Sequence, residues 1–120
     1  MTQEGTSPIR DVREADGVVS VALAGSLCGD GSTKVLLDAI HEIEARGSPR
    51  LVLDLAKLER IDSAGLGAVA SVYVSVTRVS GKLVLAGASP RVQALLSTTM
   101  LLQVIPLYPD AESARRSLLR

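Results

Sequence analysis

Leu51-Val52-Leu53-Asp54-Leu55-Ala56-Lys57-Leu58-Glu59-Arg60-Ile61-Asp62-Ser63-Ala64-Gly65-Leu66-Gly67 decides how the chain is read. Leu51 to Leu55 is apolar but for Asp54, the pattern of a central strand covered on both faces. Lys57 to Ile61 has no clean period and reads as an irregular connector. Asp62-Ser63 then opens a helix over residues 64–79, in which Leu66, Val69, Ala70, Tyr73, Val76 and Thr77 share one helical stripe. Val72, Val74 and Val76 also alternate as in a strand. Length decides for the helix, since about 15 residues exceed an ordinary strand. The β-branched residues cost a helix only about tenths of a kcal/mol each.

Working outward, Ser80-Gly81 ends that helix and Leu83-Val84-Leu85 is a short apolar strand. Ser89-Pro90 starts a helix with an N-cap serine and proline at the first position. Its amphipathic face is Val92, Leu95, Leu96 and Thr99. Val104 to Leu107 reads as a last edge strand, because Pro106 cannot donate to a ladder. Asp110 caps a final helix over residues 111–119, with Glu112 at its positive end and Arg115, Arg116 and Arg120 at its negative end. Upstream, Ile9 to Arg13 is a short edge strand, Asp16-Gly17 a two-residue hairpin turn and Val18 to Leu23 a β-rich run. Gly29-Asp30-Gly31-Ser32 is a turn that offers helix caps. A helix follows from Thr33 to Arg46, with Val35, Leu36, Ala39, Ile40 and Ile43 on one stripe, Gly47 as its C′ residue and Pro49 blocking continuation.

Alternating strands and helices specify an α/β domain with a mixed, mostly parallel sheet of about four or five strands and about four helices. Residues 1–8 are small and polar and read as a flexible leader, and residues 9–120 as one domain. With 120 residues, 47% of them hydrophobic, the chain can bury a core without staples. Thirteen basic residues balance thirteen acidic ones, so no charge excess draws the chain to nucleic acid or an anionic membrane. Tyr73 and Tyr108 are the only aromatic residues, too few for base stacking. No run approaches the roughly 20 apolar residues of a membrane span, and the polar N-terminus lacks the apolar core of a signal peptide. A soluble intracellular protein is expected. Cys28, the single cysteine, excludes an intramolecular disulfide and suits a reducing cytosol.

Catalytic chemistry has few candidates. His41 is the only histidine and sits mid-helix among Asp38, Glu42 and Glu44, the setting of a solvated helix face. One histidine rules out a multi-histidine metal centre. Asp54 and Asp62 are the one pair that could offer a hard cation two carboxylates at the top of a strand; no metal, cofactor or catalytic set is expected. Gly25 to Lys34 resembles a phosphate loop, but Lys34 follows Thr33, whereas a P-loop needs Gly-Lys directly before Ser or Thr. Asp62-Ser63 at a helix start is what remains. A serine at or beside the N-cap meets free backbone N–H groups, and the helix start favours negative charge. Gly65 and Gly67 keep bulk away, so another protein's backbone can approach. A serine N-cap with glycines for close packing is the plain structural alternative.

From Val18 to Leu119 the chain resembles the STAS family, which includes bacterial anti-sigma-factor antagonists. The resemblance rests on Leu51-Val52-Leu53-Asp54-Leu55, on Ile61-Asp62-Ser63-Ala64-Gly65-Leu66-Gly67, on Gly81-Lys82-Leu83-Val84-Leu85, on Gly25 and on Val92 to Leu102 with Thr98. It implies a small sheet with helices packed largely on one side and no enzymatic activity. It implies that unphosphorylated Ser63 lies in a surface that binds an anti-sigma factor. That factor is also a serine kinase, and its phosphorylation of Ser63 releases the antagonist. Asp62 would flank the phosphoacceptor, Asp54 would support the loop from the strand end, and Asp54, Asp62, Ser63, Ala64, Gly65, Leu66 and Gly67 would make the partner surface. The implied location is the cytoplasm, without nucleic-acid binding or membrane insertion, and a homodimer is left open. Ala64 departs from the commonest antagonist pattern, which has Ser or Thr there. It resembles members that serve as small subunits of lipid-transport ATPase complexes, so a non-phosphorylated interaction subunit of such a complex, or of a larger sensory assembly, is the alternative.

Overall fold

A computed structural model describes residues 7–29 and 31–119. Most of the expected leader, residues 1–8, lies outside the described residues, as do Asp30 of the turn cluster and Arg120. Five strands form one sheet in the order β1-β2-β3-β4-β5 among the described residues. They are β1 (Ile9–Ala15), β2 (Val18–Leu27), β3 (Arg50–Ile61), β4 (Lys82–Ala86) and β5 (Leu107–Tyr108). The helices are α1 (Ser32–Glu44), α2 (Ser63–Arg78), α3 (Pro90–Thr98) and α4 (Ala111–Ser117). β1 and β2 are antiparallel, and the other pairs are parallel. The hairpin turns at Asp16 and Gly17, both with positive φ (56° and 79°), as a I′ turn requires.

Alternation of side chains along the strands divides the interior. Val19, Val21, Leu23, Leu51, Leu53, Leu55, Leu83 and Leu85 face one way and pack against Leu36 and Ile40 of α1, Val69 and Val72 of α2, and Val92 and Leu96 of α3. Val18, Val52, Val84 and Ala86 face the other way, where among the described residues α4 covers them through Ala114 and through Leu118 just after it. Three helices on one face and one on the other give the expected mixed sheet with helices largely on one side.

Several sequence expectations shift. β3 does not stop at Leu55: residues 57–61, expected as an irregular connector, continue the strand and pair with the far end of β2 through Ala24↔Lys57, Gly25↔Leu58, Ser26↔Arg60 and Leu27↔Ile61. Two register shifts each place an extra residue in β3, so its buried residues there are Leu55, Leu58 and Ile61, three apart instead of two. β4 pairs with β3 only as far as Asp54↔Ala86, and β1 reaches β2 only as far as the Pro8 carbonyl that accepts from the Ala24 N–H, so the far ends of β2 and β3 form a two-stranded ribbon. The buried stripe of α2 is Leu66, Val69, Val72 and Val76, with Ala70 and Tyr73 only half-buried and Thr77 exposed. The last strand is Leu107–Tyr108 and not residues 104–107: a 3-10 turn at Leu101–Gln103 precedes it, and Pro106 enters through its carbonyl, which accepts from the Leu85 N–H at 2.9 Å. Ser89 and Asp110 cap α3 and α4 as expected, accepting from the N–H groups of Val92 and Ser113.

Candidate functional site

The β2–β3 ribbon delivers the end of β3 to one extremity of the sheet, and the chain turns there into α2. Asp62, not Ser63, is the N-cap. Its extended backbone aims the carboxylate back over the helix start, where Oδ1 accepts from the Gly65 N–H at 2.9 Å. Oδ2 accepts from the Gly29 N–H at 3.2 Å and so ties the β2–α1 loop to the same point. These donors, Gly65 first, hold the Asp62 carboxyl below the usual carboxylate range. The group therefore carries its negative charge throughout the physiological range.

Ser63 is the first residue of α2 and is exposed, as are Ala64 and Gly67. The capping geometry explains this. Asp62 fills the space over the first turn, so the Ser63 side chain is left outward at the positive end of a 16-residue helix. Gly65 and Leu66 turn inward and are buried. A side chain at Gly65 would collide with the Leu27 carbonyl oxygen and stand 2.7 Å from Ile61 Cγ1. Gly65 thus lets the helix start press against the ends of β2 and β3. Gly67 has nothing within 4 Å of where a Cβ would stand, so it leaves the surface flat without any packing need. The β2–α1 loop is clasped by Ser32, whose hydroxyl accepts from the Cys28 N–H and donates to the Cys28 carbonyl, both at 2.9 Å. That clasp sets Gly29 beside Ala64.

Five of the seven residues singled out from the sequence, Ser63 to Gly67, form the first turn of α2, with Asp62 capping it. Asp54 is not with them. It is half-buried in the middle of β3, eight residues from Asp62 along the strand, roughly 25 Å at about 3.3 Å per residue. Its Oδ1 accepts from the Ala56 N–H at 3.1 Å, and it lines an open groove on the α4 face with Arg10, Lys57 and Arg115. Its position is mid-strand and not at the strand end expected from sequence, and Oδ1 also lies close to Gly87 in the turn after β4.

Sequence reading missed residues beside Ser63. A shallow hollow of about 230 Å³ is lined by Ser63, Leu66, Gly67, Ala70, Thr99 and Leu101, joining α2 to the segment after α3. Met100, between the last two, is 62% exposed and takes a left-handed φ of 64°, unusual for a residue with a Cβ. Val104 is 53% exposed. The signal available was the run Met100-Leu101-Leu102, apolar yet too short for another helix and not alternating. Among the described residues no group of three His, Cys, Asp or Glu side chains could hold a metal ion, and no helix is long and apolar enough to cross a membrane.

Known proteins resemble this chain in sequence and in fold. The anti-sigma F factor antagonist of Paenibacillus polymyxa is 30% identical over 98 residues, covering 82% of this chain and 84% of the relative. An anti-sigma factor antagonist from Mycobacterium paratuberculosis superimposes with a TM-score of 0.80 at 28% identity, covering 91% of this chain and 92% of that one. The anti-sigma factor antagonist SpoIIAA in its unphosphorylated form shares the fold at a TM-score of 0.67 and 20% identity, over 89% of this chain and 96% of that one. The STAS domain family model matches residues 10–114. This chain is a member of the STAS family whose relatives include anti-sigma factor antagonists.

Proposed function

We propose that this protein is an anti-sigma-factor antagonist that works by partner switching, with Ser63 as its phosphorylation site. The observation that carries the reading is the division of labour at the start of α2. Asp62 caps the helix, and Ser63 is left exposed beside an apolar hollow. A serine that capped the helix would be occupied by the backbone. An exposed one can enter a kinase active site without any change of fold.

The unphosphorylated surface, Ser63, Ala64 and Gly67 with Leu66, Thr99 and Leu101 of the hollow, docks the anti-sigma factor, and Gly65 packs beneath it. That factor is a serine kinase in this reading. Its active site moves the γ-phosphoryl group of ATP to Ser63 Oγ, ADP leaves, and the hydroxyl proton passes to a base of the kinase. The product carries about −1.5 to −2 charge next to ionised Asp62. Backbone N–H groups at the helix start tolerate that charge, but a docked apolar partner does not, because it would have to desolvate a phosphate. The complex then dissociates. Asp54 lies outside this surface, so its part in binding a partner is a separate proposal: any contact it makes is with a partner large enough to reach round to the α4 face.

Incubation with a cognate kinase-type anti-sigma factor and ATP should add one phosphate, and peptide mapping should place it on Ser63. Equal modification of Ser63→Ala would remove the assignment. Ser63→Asp should weaken anti-sigma binding, and unchanged affinity would end the switch. Ala64, exposed next to the acceptor, is what an interaction subunit without phosphorylation would also display. A stable complex with a transport ATPase, indifferent to both substitutions, would replace the first reading with that one.

A further inference from the structure

The outer edge of β1 is an unpaired edge of seven residues, and the sequence at its centre is complementary to itself. Six of its seven residues, Arg10 to Ala15, are exposed. β1 pairs with β2 on one side only. The two-residue hairpin fixes which backbone groups are free. Ala15 and Val18 close the turn and exchange hydrogen bonds, so Arg13 with Ser20 and Asp11 with Ala22 do the same, and the N–H and C=O of Val12 and Glu14 point outward.

We propose that this edge is a homotypic docking strand: a second copy of the chain adds its own β1 antiparallel, on a two-fold axis through Val12. In that register Val12 faces Val12 of the second copy, and both present outward N–H and C=O groups, the condition for a hydrogen-bonded pair. Asp11 faces Arg13 of the second copy, and Arg13 faces its Asp11. Arg10, at the bulge between Ile9 and Asp11, lies on the α4 face with Asp11 and Arg13, whereas Glu14 lies on the α1 face beside Arg46 of its own chain, so neither takes part in this pairing. The two charged pairs that flank the axis therefore each join opposite signs.

The charges also select this register. Sliding by one allowed step brings Arg13 against Arg13 or Asp11 against Asp11 at the axis. Like charges directly opposite oppose pairing. Charged edges ordinarily discourage strand addition; the order Asp11-Val12-Arg13 disfavours the neighbouring antiparallel registers and favours the one centred on Val12. Within one chain Arg13 Nε already meets Asp11 Oδ2 at 2.7 Å, so pairing converts two isolated exposed ion pairs into a four-charge ladder. Pro8, which has no N–H, and the Asp16–Gly17 turn limit the contact to the seven residues of β1. A seam that short lies below the size of a stable interface, so the dimer is weak, with a dissociation constant on the order of 100 µM. The seam is formed by β1 alone, and Ser63 takes no part in it.

Sedimentation equilibrium of the full chain from about 10 µM to about 1 mM tests this. The wild type should pass from monomer to dimer. Arg13→Glu should weaken the dimer about tenfold or more, and adding Asp11→Arg to the same chain should bring it back. Val12→Pro removes an N–H that β2 does not use, so it should abolish dimerisation while the thermal midpoint stays near that of the wild type. A wild type monomeric throughout, a folded Arg13→Glu/Asp11→Arg chain that stays monomeric, or a Val12→Pro chain that still dimerises would each overturn the proposal.

Discussion

Gly65 and Gly67 stand two residues apart on the same helix and serve different ends. At Gly65 the Leu27 carbonyl occupies the space a methyl group would need. Backbone cannot step aside as a flexible side chain can, so Gly65→Ala should destabilise the protein by about 1–3 kcal/mol despite its better helix propensity. At Gly67 the space is open, so Gly67→Ala should stabilise by up to about 1 kcal/mol and at the same time weaken anti-sigma binding by roughening the docking face. Urea unfolding at constant m-value separates the two effects. Asp62 adds a pH signature. Its folded pKa is depressed by the Gly65 and Gly29 N–H groups, so the stability it contributes is present above the ordinary carboxylate value and is lost as pH falls through the depressed one. The thermal midpoint of Asp62→Ala should therefore trail the wild type by several degrees at neutral pH, and the gap should close below about pH 4. Asp110 and Glu112 also have lowered pKa values, but both proteins carry them, so they cancel in the difference. A gap that stays constant down to pH 3 would show that the cap acts through packing and not through its charge.

Among the elements, α2 separates what was legible from what was not. Its existence follows from length, and Asp62-Ser63 marks its start, yet the stripe expected from sequence omitted Val72 and included Ala70, Tyr73 and Thr77. Valines occur at residues 69, 72, 74, 76 and 79, nearly all round the helix, so hydrophobicity alone does not orient it. The ribbon orients it instead: Gly65 and Leu66 must face Leu27 and Ile61, and the buried line then runs through Val69, Val72 and Val76. Val72→Ala should accordingly cost about 2 kcal/mol, two buried carbons plus a cavity. Val74→Ala, at a residue 49% exposed, should be neutral or slightly stabilising by helix propensity. Equal costs would mean that the helix is rotated from this orientation. β3 was misread past Leu55 for a related reason. Each bulge inserts a residue, so the buried positions fall three apart, and strand periodicity does not survive that spacing. The bulges are set by the pairing partner, β2, which a window on β3 alone does not contain. Hence Ser63 at a helix start was legible, while its place at the far end of the β2–β3 pairing, and the neighbours it gains from the segment after α3, were not.

At the level of the whole molecule, the position of Ser63 determines what the proposed phosphorylation would do to fold and to docking. The main core lies between the sheet and helices α1 to α3, and the Ser63 side chain points away from it. A phosphate there breaks no hydrogen bond described for Ser63 and sits at the positive end of α2, where negative charge is favoured. Asp62 opposes it by proximity, but the Asp62 carboxylate oxygens already face Gly65 and Gly29. The net effect on folding is therefore a small difference between opposed terms, whereas the effect on docking is one-sided: bulk and charge are placed in a contact that must exclude water. Phosphorylation should shift the thermal midpoint by no more than about 4 °C in either direction and leave the far-ultraviolet circular dichroism unchanged. Anti-sigma affinity should fall on the order of 100-fold. An order–disorder switch would give the opposite pattern, with helical signal and midpoint falling along with affinity. Measuring all three on one phosphorylated sample decides between them, because only a switch confined to the surface lets affinity collapse while the fold remains as it was.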